Sequence, residues 1–236
     1  MALEKLDRTP GPKNGKFPST CLVDDCLIWR TGLVEKQTAG VQISLARNIT
    51  VRSCSIYEVP RAGINIGEGA FGGHVVEYCD VFDTVRETSD HGSFNSWGRD
   101  RYWAGDQMAL SQDRNVVLLD CLQPNVLRNN RWRCDHGWDV DLDDGSSNYV
   151  ICNNVMLSSG LKLREGFFRK VYNNIFVNNT LHPHVWFRES GDEFYSNIVF
   201  EDRYRQAGKM DFSPWGKNMD RNFVHAEGMK NTEKAS

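Results

Sequence analysis

From about residue 40 to residue 200 the apolar residues fall in short runs broken by polar ones, and long stretches at helical spacing are absent. Each run follows a small polar residue. Ser55 precedes IYEV, Asp80 precedes VFDTV and Asn130 precedes RWRC, and the series continues with Asn154 before VML, Asn174 before IFV and Asn197 before IVF. The steps between these residues are 25, 50, 24, 20 and 23 positions. A period in the low twenties suits three short strands per turn, with successive turns stacked about 4.8 Å apart. The pattern predicts an all-β, single-stranded parallel β-helix of about six coils. The 50-residue step reads as one coil plus an insertion at about 84–120. Residues 1–20 read as a tail or linker, 21–205 as the β-helix and 206–236 as an irregular C-terminal extension. The first coil shows no cap over its edge, so upstream coils are expected to be missing.

A small polar residue at the same corner of each coil has a physical use. Its side chain can bond the backbone of its own bend and of the next, satisfying groups that the bend leaves unpaired. One strand per coil can also be aligned: VQIS at 41, INIG at 64, VDLD at 140, LKLR at 161 and VWFR at 185. Alternation sends Val140, Leu142, Leu161, Leu163, Val185 and Phe187 inward. It sends Asn65, Asp141, Asp143, Lys162, Arg164, Trp186 and Arg188 outward. Asp141 is thus expected beside Lys162 and Trp186, and Asp143 beside Arg164 and Arg188. Charges interleaved with an indole suit a groove for a carbohydrate, whose hydroxyls meet the charges and whose faces meet the rings.

The formal charge of −3 over 236 residues argues against a nucleic-acid partner held by general electrostatics. No apolar run is long enough to span a membrane as a helix. The N-terminus lacks the apolar centre of a secretory signal. Seven cysteines without metal-type spacing read as mostly free thiols.

Asp141 and Asp143 are two residues apart on one strand face, which separates their Cα atoms by about 6.5–7 Å. Lys162 and Arg164 are expected to hold both ionised. The acid is then sought elsewhere. Asp100, between Trp97 and the Tyr102–Trp103 pair, is one candidate, because aromatic desolvation raises a carboxyl's pKa. Glu165 is another. His91 and His136 could bond a substrate or carry protons, and His182 to His184 read as groove lining. The run DVDLDDGSSNY departs from an EF-hand at its sixth and twelfth positions. Calcium at Asp141, Asp143 and Asp144 is the one cofactor the sequence leaves open, and none is required.

The segments DHGSFNSWGRDRYW, GWDVDLDDGSSNY, GLKLREGFFRKVYNNIFVNN and HPHVWF resemble right-handed parallel β-helix proteins of the pectate-lyase-like superfold. Among these they look most like the group around glycoside hydrolase family 141. The resemblance covers about residues 35–205. It implies a right-handed helix, an extracellular or periplasmic location, and hydrolysis of fucoside or xylan-like linkages in plant-type polysaccharide. Matched by motif, it implies Asp100 and Asp141 as the catalytic pair. Asp143, Arg164 and His136 would then orient the substrate, and Trp97 and Trp186 would serve as sugar platforms. The expected partner is a carbohydrate polymer or oligosaccharide bound by a monomer, with no nucleic acid and no membrane. Two other functions fit the same pattern. One is a calcium-dependent polysaccharide lyase or uronate epimerase with Lys162 or Arg164 as base. The other is a non-catalytic carbohydrate-binding solenoid or inactive fragment.

Overall fold

A computed structural model of the chain describes residues 7–67, 71–98, 113–201 and 216–225. About 3% of it is helical, and its strands form three parallel sheets, two of eight strands and one of six. The chain enters the sheets in rotation. Leu22–Asp24 lies in the first sheet, Leu27–Trp29 in the second and Val41–Ser44 in the third, after which Thr50–Arg52 returns to the first. Neighbours within a sheet are therefore one repeat apart, the succession of a β-solenoid. The first and second sheets are each visited eight times, rather than the six expected from the pattern.

The two extra visits come from opposite ends of the chain. Leu22–Asp24 and Leu27–Trp29 add a coil before the first expected one, and Gly216–Asp220 and Phe223–Val224 add one after the last, so the repeat continues past residue 205. At the other end, residues 7–20, read as part of a tail or linker, are held to the fold at separate points. Ser19 bridges Arg47, and the Gly11 amide donates to the Leu119 carbonyl at 2.6 Å.

One bend recurs between the first and second sheets. Asp25, Ser53, Tyr78, Asn129, Asn153, Asn173, Ser196 and Arg221 all take φ between 51° and 58°. The next residue in each coil is Cys26, Cys54, Cys79, Asn130, Asn154, Asn174, Asn197 or Asn222. The asparagines form a buried ladder. Asn154 Nδ2 donates to the carbonyls of Leu127 and Cys152 and to Asn174 Oδ1, while Asn154 Oδ1 accepts from the Asn130 amide. Asn174 and Asn197 repeat the arrangement, ending on Asn222. Ser55 and Asp80, expected at this corner, stand one residue later, in register with Arg131. The corner itself is cysteine in the first three coils. The Cys54 thiol donates to the carbonyls of Arg52 and Val23, the same two positions that an asparagine amide serves.

The side chains between the sheets form one core that includes Val51, Ile56, Phe94, Trp132, Val140, Leu142, Leu161, Leu163 and Leu181. Each buried aliphatic contributes about 1.5–3 kcal/mol, more than a single ladder bond at about 1 kcal/mol. Burial therefore drives collapse, and the ladder fixes the register.

The sixth strand of the third sheet is Leu181–Pro183, with Leu161 opposite Leu181. VWFR is not a strand of this sheet. The corner asparagines Asn154 and Asn174 are 20 residues apart and fix the register, whereas aligning LKLR with VWFR would require 24. Val185 is half-buried. Trp186 turns into the core, and Phe187 joins Val116, Val117 and Phe167 in a second cluster.

Candidate active site

The third sheet sets the site. Gln42, Asn65, Asn95, Asp141, Lys162 and His182 are successive partners across its six strands. A second row holds Gly67, Trp97 and Asp143, with Arg164 following Leu163. Glycine at 67 is required here, because a Cβ would stand 2.6 Å from the Trp97 ring.

The outward side of this sheet is not an open groove. Asn65, Asn95, Asp141 and Lys162 are each no more than 1% exposed. Arg61 and Trp138 lie against this polar row. The Arg61 guanidinium sits 5.0 Å from the Trp97 centroid, and Lys162 Nζ sits 6.0 Å from that of Trp138. Trp138 stacks on His182 with centroids 4.9 Å apart.

Lys162 is the centre of charge. Its Nζ lies 3.1 Å from Asp90 Oδ1, 3.3 Å from Asp141 Oδ2 and 3.5 Å from Asp143 Oδ1. Arg164 Nη1 lies 3.0 Å from Asp143 and 3.1 Å from Asp144, and its Nε lies 2.8 Å from Glu165. Five carboxyls thus share two cations. Burial pushes Asp141 up to about 8, with Lys162 opposing it. Burial would also raise Asp143, but Lys162 and then Arg164 outweigh it and hold that carboxyl below its ordinary value. Asp141 is therefore not the ionised partner that its neighbours suggested. Asp143 is. Burial alone would lower Lys162, but Asp141, Asp143 and Asp90 outweigh it and raise its pKa, so the ammonium is retained. His91 is pulled down to about 4 by burial and then by Arg61, and is neutral at pH 7.

The remaining predicted residues divide. Trp97 and His91 join the cluster at its half-exposed edge, and Glu165 joins it through Arg164. His136, His184 and Arg188 are exposed, and Arg188 lies beyond the strand that was to place it beside Asp143. Trp186, buried in the core, offers no platform to a sugar. Asp100 lies outside the described residues. The three carboxylates considered for calcium are taken up by Lys162 and Arg164. Among the described residues no group of three or more metal-ligating side chains is placed to hold an ion.

Arg61, Asp90, Asn95 and Trp138 were not singled out from the sequence. Asn95 stands opposite Asp141 in the sheet, although counting from the matching triplets Asp90-His91-Gly92 and Asp135-His136-Gly137 would set Ser96 there. Arg61 and Asp90 precede strands, where alternation carries no information.

Three parallel sheets, consistent with a β-solenoid-like fold, thus carry along one of them a polar, ionisable row that is a candidate acid–base site. Comparison with protein-family models, with curated proteins and with solved structures gave no match.

Proposed function

We propose that the chain is a right-handed parallel β-helix and a glycoside hydrolase acting on plant-type polysaccharide with fucoside or xylan-like linkages. Asp141 would be the proton donor and Asp143 the carboxylate that serves the anomeric carbon. The observation that carries this reading is the carboxyl pair sharing Lys162, with acidities driven in opposite directions. Such divergence marks acid and base roles on one fold. Two oxygens 3.3 and 3.5 Å from one ammonium lie at most about 7 Å apart, under the upper limit of about 9.5 Å for glycosidase pairs. In the reaction Asp141 gives its proton to the leaving glycosidic oxygen. Asp143 attacks the anomeric carbon or deprotonates a water that does, and one water is consumed overall. The motif resemblance supports the carbohydrate substrate.

The lyase reading is weaker, because its base would be Lys162 or Arg164, cations that the surrounding carboxyl groups hold in their charged form. The binding-only solenoid is favoured by one observation, the burial of Asp141 and Lys162. Reducing-sugar release from xylan and fucosylated oligosaccharides decides between hydrolysis and binding. Hydrolysis is expected in the parent protein, with a loss of at least about 10³-fold in Asp143→Asn and Asp141→Asn. Retained glycan binding without turnover in the parent protein would leave the binding reading standing.

A further inference from the structure

Among the described residues the buried cations are paired, with one exception. Lys162 contacts three carboxyl groups, and Arg169, fully buried, donates from Nε to Asp192 at 2.9 Å. Arg61 is 6% exposed, yet among the described residues it makes no ion pair. Its Nη1 reaches only the neutral Asn65 Oδ1, at 3.4 Å, and its Nε has no partner. A buried guanidinium without an anion is costly and calls for an explanation.

Two further polar atoms on the same face are buried and unpaired. They are Asn95 Oδ1 and Asp141 Oδ1, on residues that are direct partners across adjacent strands. Asn95 Nδ2 donates to the same Asn65 Oδ1 that Arg61 approaches. An unused donor of positive charge thus stands beside unused oxygens. Trp97 closes one side under the guanidinium, and His91 stands close enough to Arg61 for the cation to lower its pKa. A neutral ligand would satisfy the oxygens and leave the cation unneutralised. A simple anion would satisfy the cation and leave the oxygens. A carboxylate with hydroxyls near it satisfies both.

We propose that Arg61, Asn95 and Trp97 form a subsite for a hydroxylated carboxylate, specifically an acidic sugar residue, next to the Asp141–Asp143 pair. Arg61 Nε donates to the carboxylate, Asn95 Oδ1 accepts from a ring hydroxyl, and the sugar enters by the half-exposed edge between His91 and Trp97. The sugar part of this assignment rests on the hydrolase reading; the carboxylate part does not.

Calorimetric titration of the whole chain with glucuronate, glucose and lactate tests it. Glucuronate is expected to bind at least tenfold more tightly than glucose and lactate. Arg61→Met is expected to abolish that preference. Asn65→Asp supplies Arg61 with an internal carboxylate while retaining both acceptor roles. It is expected to fold, to melt higher and to lose glucuronate binding, so the test stands even if Arg61→Met does not fold. Lactate binding as tightly as glucuronate would overturn the sugar assignment in favour of a small hydroxy acid. Equal binding of glucose and glucuronate, or no glucuronate binding at all, would overturn the subsite. Asp143→Asn separates the two readings: it abolishes hydrolysis and is expected to keep the glucuronate preference.

Discussion

Asp141 and Asp143 show how two identical side chains on one strand face acquire different chemistry. Both touch Lys162, but Asp143 also receives Arg164 and a share of solvent, while Asp141 is sealed between Asn95 and Lys162. Burial decides the first case and charge the second. The pair and both cations were legible from alternation alone. The sealing was not, because it depends on residues such as Arg61 and Trp138 that no strand period places. The shift of Asp141 has a consequence for stability. Its folded pKa lies above its unfolded value, so its contribution is fully present below about pH 4 and is lost as pH rises towards about 8. The slope approaches about 1.4 kcal/mol per pH unit. Urea unfolding at steps from pH 4 to pH 8 is expected to show a stability difference between the parent and Asp141→Asn that falls with rising pH, since the buried histidines His74 and His91 act alike in both proteins.

At the scale of the elements, the bend between the first and second sheets does the most to define the repeat. It needs a residue at positive φ and then a side chain able to bond backward to the preceding coil. Asparagine suits both positions, and in Asn129–Asn130, Asn153–Asn154 and Asn173–Asn174 it fills both. Asn154 is bonded on both sides, and Trp132 Nε1 also donates to it. Asn154→Ala is expected to cost about 3 kcal/mol or more, since several buried groups lose their partner at once; thermal unfolding measures this. Tyr78 occupies the left-handed position with a bulky, exposed side chain. Tyr78→Asn is expected to stabilise by about 1 kcal/mol. The asparagine corners were readable from their spacing. The cysteine corners were not, because thiols in the same role looked like ordinary core residues, and attention fell on Ser55 and Asp80 one position later.

For the whole molecule, the rotation of strands through three sheets makes contacts between neighbouring coils dominant. Stability is then close to a sum of coil and interface terms. Leu22–Asp24 and Leu27–Trp29 each pair on one side only, whereas Val140–Leu142 are paired on both. Amide hydrogen exchange is expected to be fastest in the former and slowest in the latter, by two orders of magnitude or more. Uniform exchange along the chain would show that the coils open together. The period was legible because every coil repeats one bend. The number of coils was not, because Gly216–Val224 forms a rung with its polar residue, Asn222, before an unremarkable Phe-Val pair.

The backward bonding of the corner asparagines gives the stack a direction. Each rung takes an amide proton from the coil before it and returns two to carbonyls there and in its own bend, asking nothing different of an early coil than of a late one. A duplicated segment running from one asparagine to the next would arrive with its donors and acceptors already matched on both sides. Lengthening by duplication is thus chemically permitted between Asn130 and Asn222. Between Cys26 and Cys79 the thiols have no carbonyl-type acceptor to offer the preceding coil, so a copied segment there would extend the stack with a weaker seam. The two halves of the molecule differ in how readily their length can evolve.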